Sequence, residues 1–429
     1  MATEKLYWTD PFATSFTAPR ARAARFGDRA SIVLDRTVFY PEAGGQLSDV
    51  GTIEAGGESF VIDDVQVDDD GTIHHLSRDL DASSAARVSA RDGEVQGTID
   101  RARRRDHMAQ HTAQHALSRA LLDVARAETV SSRLGATACT IDVHLSDVAD
   151  AELARAEDLV NAIVMDDVPV RALFPTGEEL ARMDLRRAPK VSANVRVIEI
   201  DGFDLSPCGG THCTQSGQIG VVRVVGTERY KGKLRVTFHA GRRAIEDARA
   251  KERVLSALAG ELTCGVLDVG AAVGKLRGDL KSRADALSAM RGELVELVAD
   301  HVWRAHPPHP SGTTIACVVR PRDDVGMLRT LAGRLASRAD IVAVCASPGP
   351  ASADGRDHLV VVQRGAAASF DCGAWLKAAA AQNGGRGGGR PERAEGKLRI
   401  DGARRPGESA DPADDARAIT AALAALVRA

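Results

Sequence analysis

The stretch from Asp100 to Ala127, "DRARRRDHMAQHTAQHALSRALLDVARA", runs without a glycine or a proline and is rich in Ala and Arg. Intrinsic propensity over such a window favours one long helix. Helix geometry then constrains its histidines. His107, His111 and His115 stand at steps of four, each step turning about 40° beyond a full rotation, so adjacent pairs share a face and two of them can bite one metal ion. Some 90 residues on, "DLSPCGGTHCTQSGQIG" sets Cys208 and His212 four apart around two glycines. That spacing suits a tight loop, because glycine lets the backbone turn sharply enough for both side chains to point inward. A thiolate and an imidazole from the loop would complete, with two helix imidazoles, the tetrahedral shell that zinc prefers. Four protein ligands ordinarily make a closed structural site, yet spacing alone leaves structural and catalytic zinc both open.

The remainder of the chain sorts around this helix. Residues 1–98 carry short alternating or β-branched runs, "SIVLDRTVF", "GTIEA", "SFVIDDVQV" and "GTIHHL", between Gly, Asp and Pro turns, and read as a β-rich, barrel-like domain. Over 99–245 helices and strands interleave. Helices are expected near 147–165 and 176–186, strands at "ATACTIDVHL", "VPVRALF" and "NVRVIEI", the last running into the Cys208 loop, and a hairpin at "IGVVRVVGTERY" and "KLRVTFHAG". This is a two-layer α/β domain. From 246 to 303, Leu276, Leu280, Leu287, Met290, Leu294 and Leu297 recur at steps of three, four or seven among charged residues, the pattern of a helical hairpin or coiled-coil spacer. Prolines in "RAHPPHPSG" end it, and "TIACVVRP", "DIVAVCAS" and "HLVVVQRG" mark buried strands of a last α/β domain over 304–429. The fold class is therefore α+β and multidomain.

A 429-residue chain with 44% hydrophobic residues can bury several cores, and a formal charge of -3 excludes a globally basic nucleic-acid coat. A polyanion would be met by local patches. Arg101, Arg103, Arg104 and Arg105 open the histidine helix and Arg242 and Arg243 follow the hairpin, all candidate phosphate contacts. Near the end, Arg386, Arg390, Arg393, Lys397, Arg399, Arg404 and Arg405 are strung among glycines that permit an anion-binding loop. Seven cysteines without framework spacing point to free thiols and a reducing compartment. The N-terminus lacks the basic-then-apolar order of a signal peptide, and no apolar run approaches the ~18 residues that span a bilayer. A cytoplasmic protein without membrane contact is expected.

The motifs resemble a known family. "TVFYPEAGGQLSDVG" (37–51), "HTAQH" (111–115), "TVSSRLG" and "CTIDVHL" (129–145), "CGGTH" (208–212) and "SGQIGVVRVVGTERYKGKLRVTFHAG" (216–241) closely resemble the editing region of alanyl-tRNA synthetase and its free-standing AlaX-type relatives. "NGGRGGGRPERAEG" (383–396) resembles the glycine-rich signature of the C-terminal domain that the synthetase shares with some phosphoesterases. With the first motif beginning at Thr37, the resemblance is to the long, free-standing form without an aminoacylation core.

That resemblance implies hydrolysis of the ester joining a wrong amino acid, seryl or glycyl, to alanine tRNA. It makes His111, His115, Cys208 and His212 the zinc ligands and His107 a neighbour. Cys213, beside His212, is awkwardly placed to exchange into the shell. Thr37 becomes the candidate to sense the seryl hydroxyl, since serine is larger than alanine and size exclusion cannot select it. Gly44, Gly45 and Gln46 form a turn whose backbone amides would approach the substrate. Ser132 stands where synthetase editing sites often carry glutamine after "VS", a departure that bears on the attacking water. Thr37, Gln46 and Ser132 are thus the catalytic candidates, and Arg101, Arg104, Arg386 and Arg390 the principal RNA contacts. The resemblance also implies tRNA as partner and a homodimer through the helical spacer and last domain. Two other readings compete, a nucleotide phosphoesterase and a non-catalytic tRNA-binding module with a structural zinc. The first needs a carboxylate-rich Asp-His-His cluster, and the Asp-His pairs at 106–107 and 357–358 lack a third member.

Overall fold

A computed structural model describes residues 2–55, 58–89, 94–189, 191, 194–308, 312–348, 357–400 and 412–428. The chain divides into two compact units, Met1–Glu261 and Leu262–Ala429.

In the first unit, the β-rich segment forms two four-stranded sheets. One has the order Ser15–Ala18, Val95–Ile99, Gly51–Ala55, Glu58–Ile62, and the other Ala21–Phe26, Arg29–Leu34, Ile73–Leu76, Asp64–Val67, all pairings antiparallel. The alternation of Val95, Gly97 and Ile99 inward is the period-two pattern of a half-buried strand. Among the described residues the strands close no barrel, which corrects the barrel-like expectation. The pairing instead breaks into two sheets that share one core around Phe39, Ile53, Ile62 and Ile73.

The long helix spans Arg101–Ala125. Asp100 caps it, its side chain accepting from the amides of Ala102 and Arg103, and Arg126 ends it in the left-handed region at φ 55°. Against it lies an antiparallel sheet ordered Thr129–Leu134, Cys139–Val143, Lys233–Ala240, Val222–Tyr230. Strict alternation along Lys233–Ala240 turns Leu234, Val236, Phe238 and Ala240 toward Ala113, Ala116 and Ala120 of the helix. From His107 to Ser118 every helix residue is buried. A helix with so many polar residues survives that burial only by partnering them. Gln110 does so as a surrogate strand, donating to Ala240 O at 2.8 Å and accepting from Ala240 N at 3.0 Å. A helix at Asp150–Met165 also joins this core.

The strand expected to feed the Cys208 loop directly is a small hairpin instead. Val197–Ile200 turns through 201–203 into Asp204–Pro207, beside Val170–Leu173. The helix expected to 186 is one short piece, Gly177–Arg182. The first unit ends in the helix that begins at Gly241.

In the second unit, helix Val269–Ala305 carries the periodic leucines, and Leu276, Leu280, Leu287, Met290 and Leu297 are exposed. A five-stranded sheet follows in the order Thr314–Val319, Ile341–Pro348, Asp357–Arg364, Arg393–Arg399, Gly385–Arg390, parallel only in its first pair. The glycine-rich segment expected as a loop is therefore an edge strand paired with its neighbour. No single described helix is long and apolar enough to cross a membrane. None of the seven cysteines forms a disulfide.

Candidate metal centre

His111 and His115 leave the middle of the long helix and meet Cys208 and His212, which the turn after Asp204–Pro207 brings down onto that face. One ligand atom from each of the four lies within 4.8 Å of all the others. Cys208 Sγ is 3.3 Å from both His111 Nε2 and His212 Nε2. Burial alone would raise the Cys208 thiol, but the imidazoles of His111, His212 and His115 outweigh it and hold it well below its ordinary range. The three imidazoles and one thiolate are the donor set of a zinc site, and His115 supplies the test of fit. It is completely buried, yet neither ring nitrogen is within hydrogen-bond distance of a partner; a metal bond would satisfy one of them, and Asp204 stands 3.6 Å from the other, Nδ1.

The surroundings orient each ring. Gln46 Oε1, which can only accept, lies 2.7 Å from His111 Nδ1, so that nitrogen carries the proton and Nε2 presents its lone pair to the centre. Gln46 is itself fixed, accepting from Thr211 N at 3.2 Å and donating to Thr211 Oγ1 at 2.9 Å. Thr112 donates to Met108 O, leaving its oxygen to accept from Cys213 N at 3.0 Å and to face His212 Nδ1 at 3.3 Å. Asp204, held by Arg186 at 2.7 Å, stands 3.6 Å from His115 Nδ1. Asp204, Arg186, Thr112 and Arg196 form no local pattern that singles them out in the sequence.

The other expected residues fare differently. His107 is buried one turn away with Nδ1 unpartnered, and Cys213 is buried; neither belongs to the group of four. Gln46 is fully buried, and both ends of its amide are spent on His111 and Thr211. Gly45, at φ 87°, passes so close to Ser132 that a Cβ there would lie 2.7 Å from the Ser132 carbonyl oxygen. Its own carbonyl accepts from Leu134 N, and Ser132 is half-buried in the strand it abuts. Thr37 is fully buried with its hydroxyl 2.9 Å from His75 Nε2. Because His75 Nδ1 must donate to Ile32 O, the Thr37 hydroxyl proton goes to Nε2, and what Thr37 keeps is an acceptor.

Arg104 corrects its expectation. Its guanidinium is 1% exposed and committed to Asp49, Val38 O and Pro11 O. It cannot reach a phosphate without breaking a buried ion pair, whereas Arg101, Arg386 and Arg390 are exposed. Arg243 is likewise paired with Asp106. Arg404 and Arg405 lie outside the described residues.

Comparison with known proteins places this geometry. Residues 16–103 match the family described as tRNA synthetases class II (A), and residues 195–237, which hold Cys208 and His212, match the Threonyl and Alanyl tRNA synthetase second additional domain. Alanine--tRNA ligase of Frankia alni is 32% identical over 400 residues, covering 86% of this chain and 42% of its own length. That of Halorubrum lacusprofundi is 30% identical, covering 77% of this chain and 35% of its own. That of Methanothrix thermoacetophila is 28% identical over 92% of this chain and 42% of its own. Among solved structures, the C-Ala domain from Aquifex aeolicus alanyl-tRNA synthetase matches at 19% identity and a TM-score of 0.19, covering 26% of this chain and 91% of that one. Most of the chain is thus related to alanyl-tRNA synthetases. Within that group it is an AlaX-like protein, and it spans well under half the length of these curated relatives.

Proposed function

We propose that this chain hydrolyses the ester of mischarged alanine tRNA, seryl or glycyl, at a zinc centre held by His111, His115, Cys208 and His212. The convergence of those four side chains, from a helix and a distant turn, is the observation that carries the reading. The matched editing-domain residues 195–237 support it. Bound zinc would supply a fixed positive charge beside the substrate's 3′-end. An aminoacyl ester is already activated, so the chain's own task is to position it and its water and to offer donors to the developing oxyanion. Gln46, Thr112 and Asp204 keep the imidazoles in register for that. Thr37, its hydroxyl proton given to His75 and one lone pair taken by Phe39 N at 3.1 Å, would offer its remaining lone pair to a seryl hydroxyl, a bond that alanine cannot make. Ser132 lies on the strand packed against the Gly44–Gln46 turn, a position from which a hydroxyl can hold water. Arg101 and the exposed arginines 386 and 390 of the edge strand would meet phosphates.

The organisation 1–98, 99–245, 246–303 and 304–429 is part of this proposal, supported by each sheet falling within one segment apart from a strand end at Ile99. So is a homodimer through the exposed leucines of helix Val269–Ala305 and the last segment. A non-catalytic tRNA-binding module is the second reading, favoured by the four-ligand count. A phosphoesterase has less support, since the described residues hold no further His, Cys, Asp and Glu group with metal-ligand geometry.

The test is release of free serine from seryl-tRNA for alanine, with metal analysis of the wild type and Cys208→Ala. The reading expects about one zinc per chain and serine release, both lost in the variant. A wild type that binds the tRNA but frees neither serine nor glycine refutes hydrolysis. A zinc-free variant that still hydrolyses at the wild-type rate removes the metal from the reaction.

A further inference from the structure

Three arginine side chains on the segments that carry the ligands and their supports are no more than 5% exposed, and two of them meet a carboxylate. Arg104 pairs with Asp49 and Arg186 with Asp204. Arg196, 5% exposed, does not. The charged or titratable groups acting on it are the Cys208 thiol and the hydroxyls of Tyr7 and Tyr40. Its hydrogen bonds both leave through Nη1, to Cys208 O at 3.0 Å and Gly210 O at 2.8 Å. The guanidinium lies 5.9 Å from the Trp8 ring centroid, and Trp8 Nε1 donates to Gly209 O at 3.1 Å. Three consecutive carbonyls of the ligand turn are thus taken by two side chains that also contact each other.

The other edge of the guanidinium is unspent. Nε is buried with no partner, and since both hydrogen bonds of the guanidinium among the described residues leave from Nη1, Nη2, on the same edge as Nε, makes none. Leaving a charged donor buried and unsatisfied is costly, so such a group calls for an explanation. The local charge sharpens the point. Of the four candidate ligands only Cys208 is anionic, so a bound dication and Arg196 together leave the turn strongly positive, while Asp204 and Arg186 cancel. A paired set of N–H donors on a planar guanidinium fits two oxygens of one anion, as in arginine recognition of phosphate.

We infer that the Nε–Nη2 edge of Arg196 is a phosphate subsite that takes the phosphodiester 5′ to the terminal nucleotide of the RNA substrate. The inference rests on the RNA-ester reading, since the reacting ester then lies one nucleoside away from that phosphate. It makes Arg196 bifunctional, one nitrogen shaping the ligand turn and one edge holding the substrate.

The experiment uses the intact, zinc-loaded chain and an uncharged acceptor-stem hairpin of alanine tRNA ending in CCA. One hairpin is unmodified, and one carries a neutral methylphosphonate at the last internucleotide linkage. Each is bound to the wild type, Arg196→Met and Arg196→Lys. The methylphosphonate is expected to weaken wild-type binding by roughly tenfold or more, the usual scale for a hydrogen bond to a charged group. Arg196→Met should lose as much, and the two changes together no more than either alone. The slope of log affinity against log salt should fall by about 0.7. Should Arg196→Met fail to fold, Arg196→Lys carries the same cycle. The inference is overturned if the methylphosphonate binds the wild type as tightly as the diester, or if the two losses add, which would leave Arg196 only as a clamp on the turn. Because the hairpin carries no amino acid, a failure to release serine in the assay above would refute the hydrolase reading and leave this result standing.

Discussion

Gly210→Ala isolates the geometry of the metal turn in a single methyl group. A Cβ built on Gly210 would lie 2.2 Å from His111 Cε1, 2.5 Å from His111 Nδ1 and 3.0 Å from Gln46 Oε1. Carbon atoms in contact ordinarily sit about 3.5 Å apart or more, so the imidazole or the turn must retreat by about 1.3 Å. Zinc–nitrogen bonds tolerate deviations of only about 0.2 Å, and the retreat also breaks the Nδ1 to Gln46 hydrogen bond that sets the tautomer. His111 has no room to follow, because the helix around it is buried on every side. Loss of an outer partner alone costs up to about 100-fold in metal affinity. Displacing the ligand with it should therefore weaken zinc binding by at least about 100-fold, or roughly 2.7 kcal/mol. Competition against a chromophoric zinc chelator measures this directly. Gly209→Ala is the control, since a Cβ at Gly209 meets nothing within 4 Å. A Gly210→Ala protein that binds zinc within about threefold of the wild type would refute the reasoning, as would an equal loss in Gly209→Ala.

Two further outcomes follow from buried groups. Asp49→Ala strands Arg104, whose pair is 1% exposed on both sides, and should lower unfolding stability by about 3–5 kcal/mol in urea titration; a change below about 1 kcal/mol would mean that Arg104 is free to serve elsewhere. Burial pushes His75 down from 6.5 to about 4. The unfolded chain therefore takes up a proton between those values that the folded chain refuses, so stability is full above about pH 6.5 and is lost as pH falls toward 4, by up to about 3 kcal/mol. His75→Gln should flatten that part of the stability profile, measured with the metal chelated; an unchanged slope would assign the loss to other groups.

Much of this architecture is local and was legible without coordinates. The glycine-free run with Asp100 ahead of it dictates a helix, and a helix brings His111 and His115 to one face whatever surrounds it. Alternation along Lys233–Ala240 dictates a strand with one buried side. The Cys208 and His212 spacing around two glycines dictates a tight turn. The limits show where contacts span long stretches of chain. Arg104 reads as one more exposed cation in an Arg-rich run until Asp49, 55 residues earlier, buries it. Gln46 reads as a substrate-facing turn residue until it meets His111, 65 residues on.

Residue type and spacing by themselves settled the secondary structure of the centre and the chemistry of its donors, because those depend on neighbours within a turn or two. Which arginine is neutralised, which left with an open edge, and which amide holds which ring were decided only when sheets and helix closed on one another. The free energy of a charge or a polar group depends on what replaces its water, and for Arg104, Gln46 and Arg196 the replacement comes from distant parts of the chain.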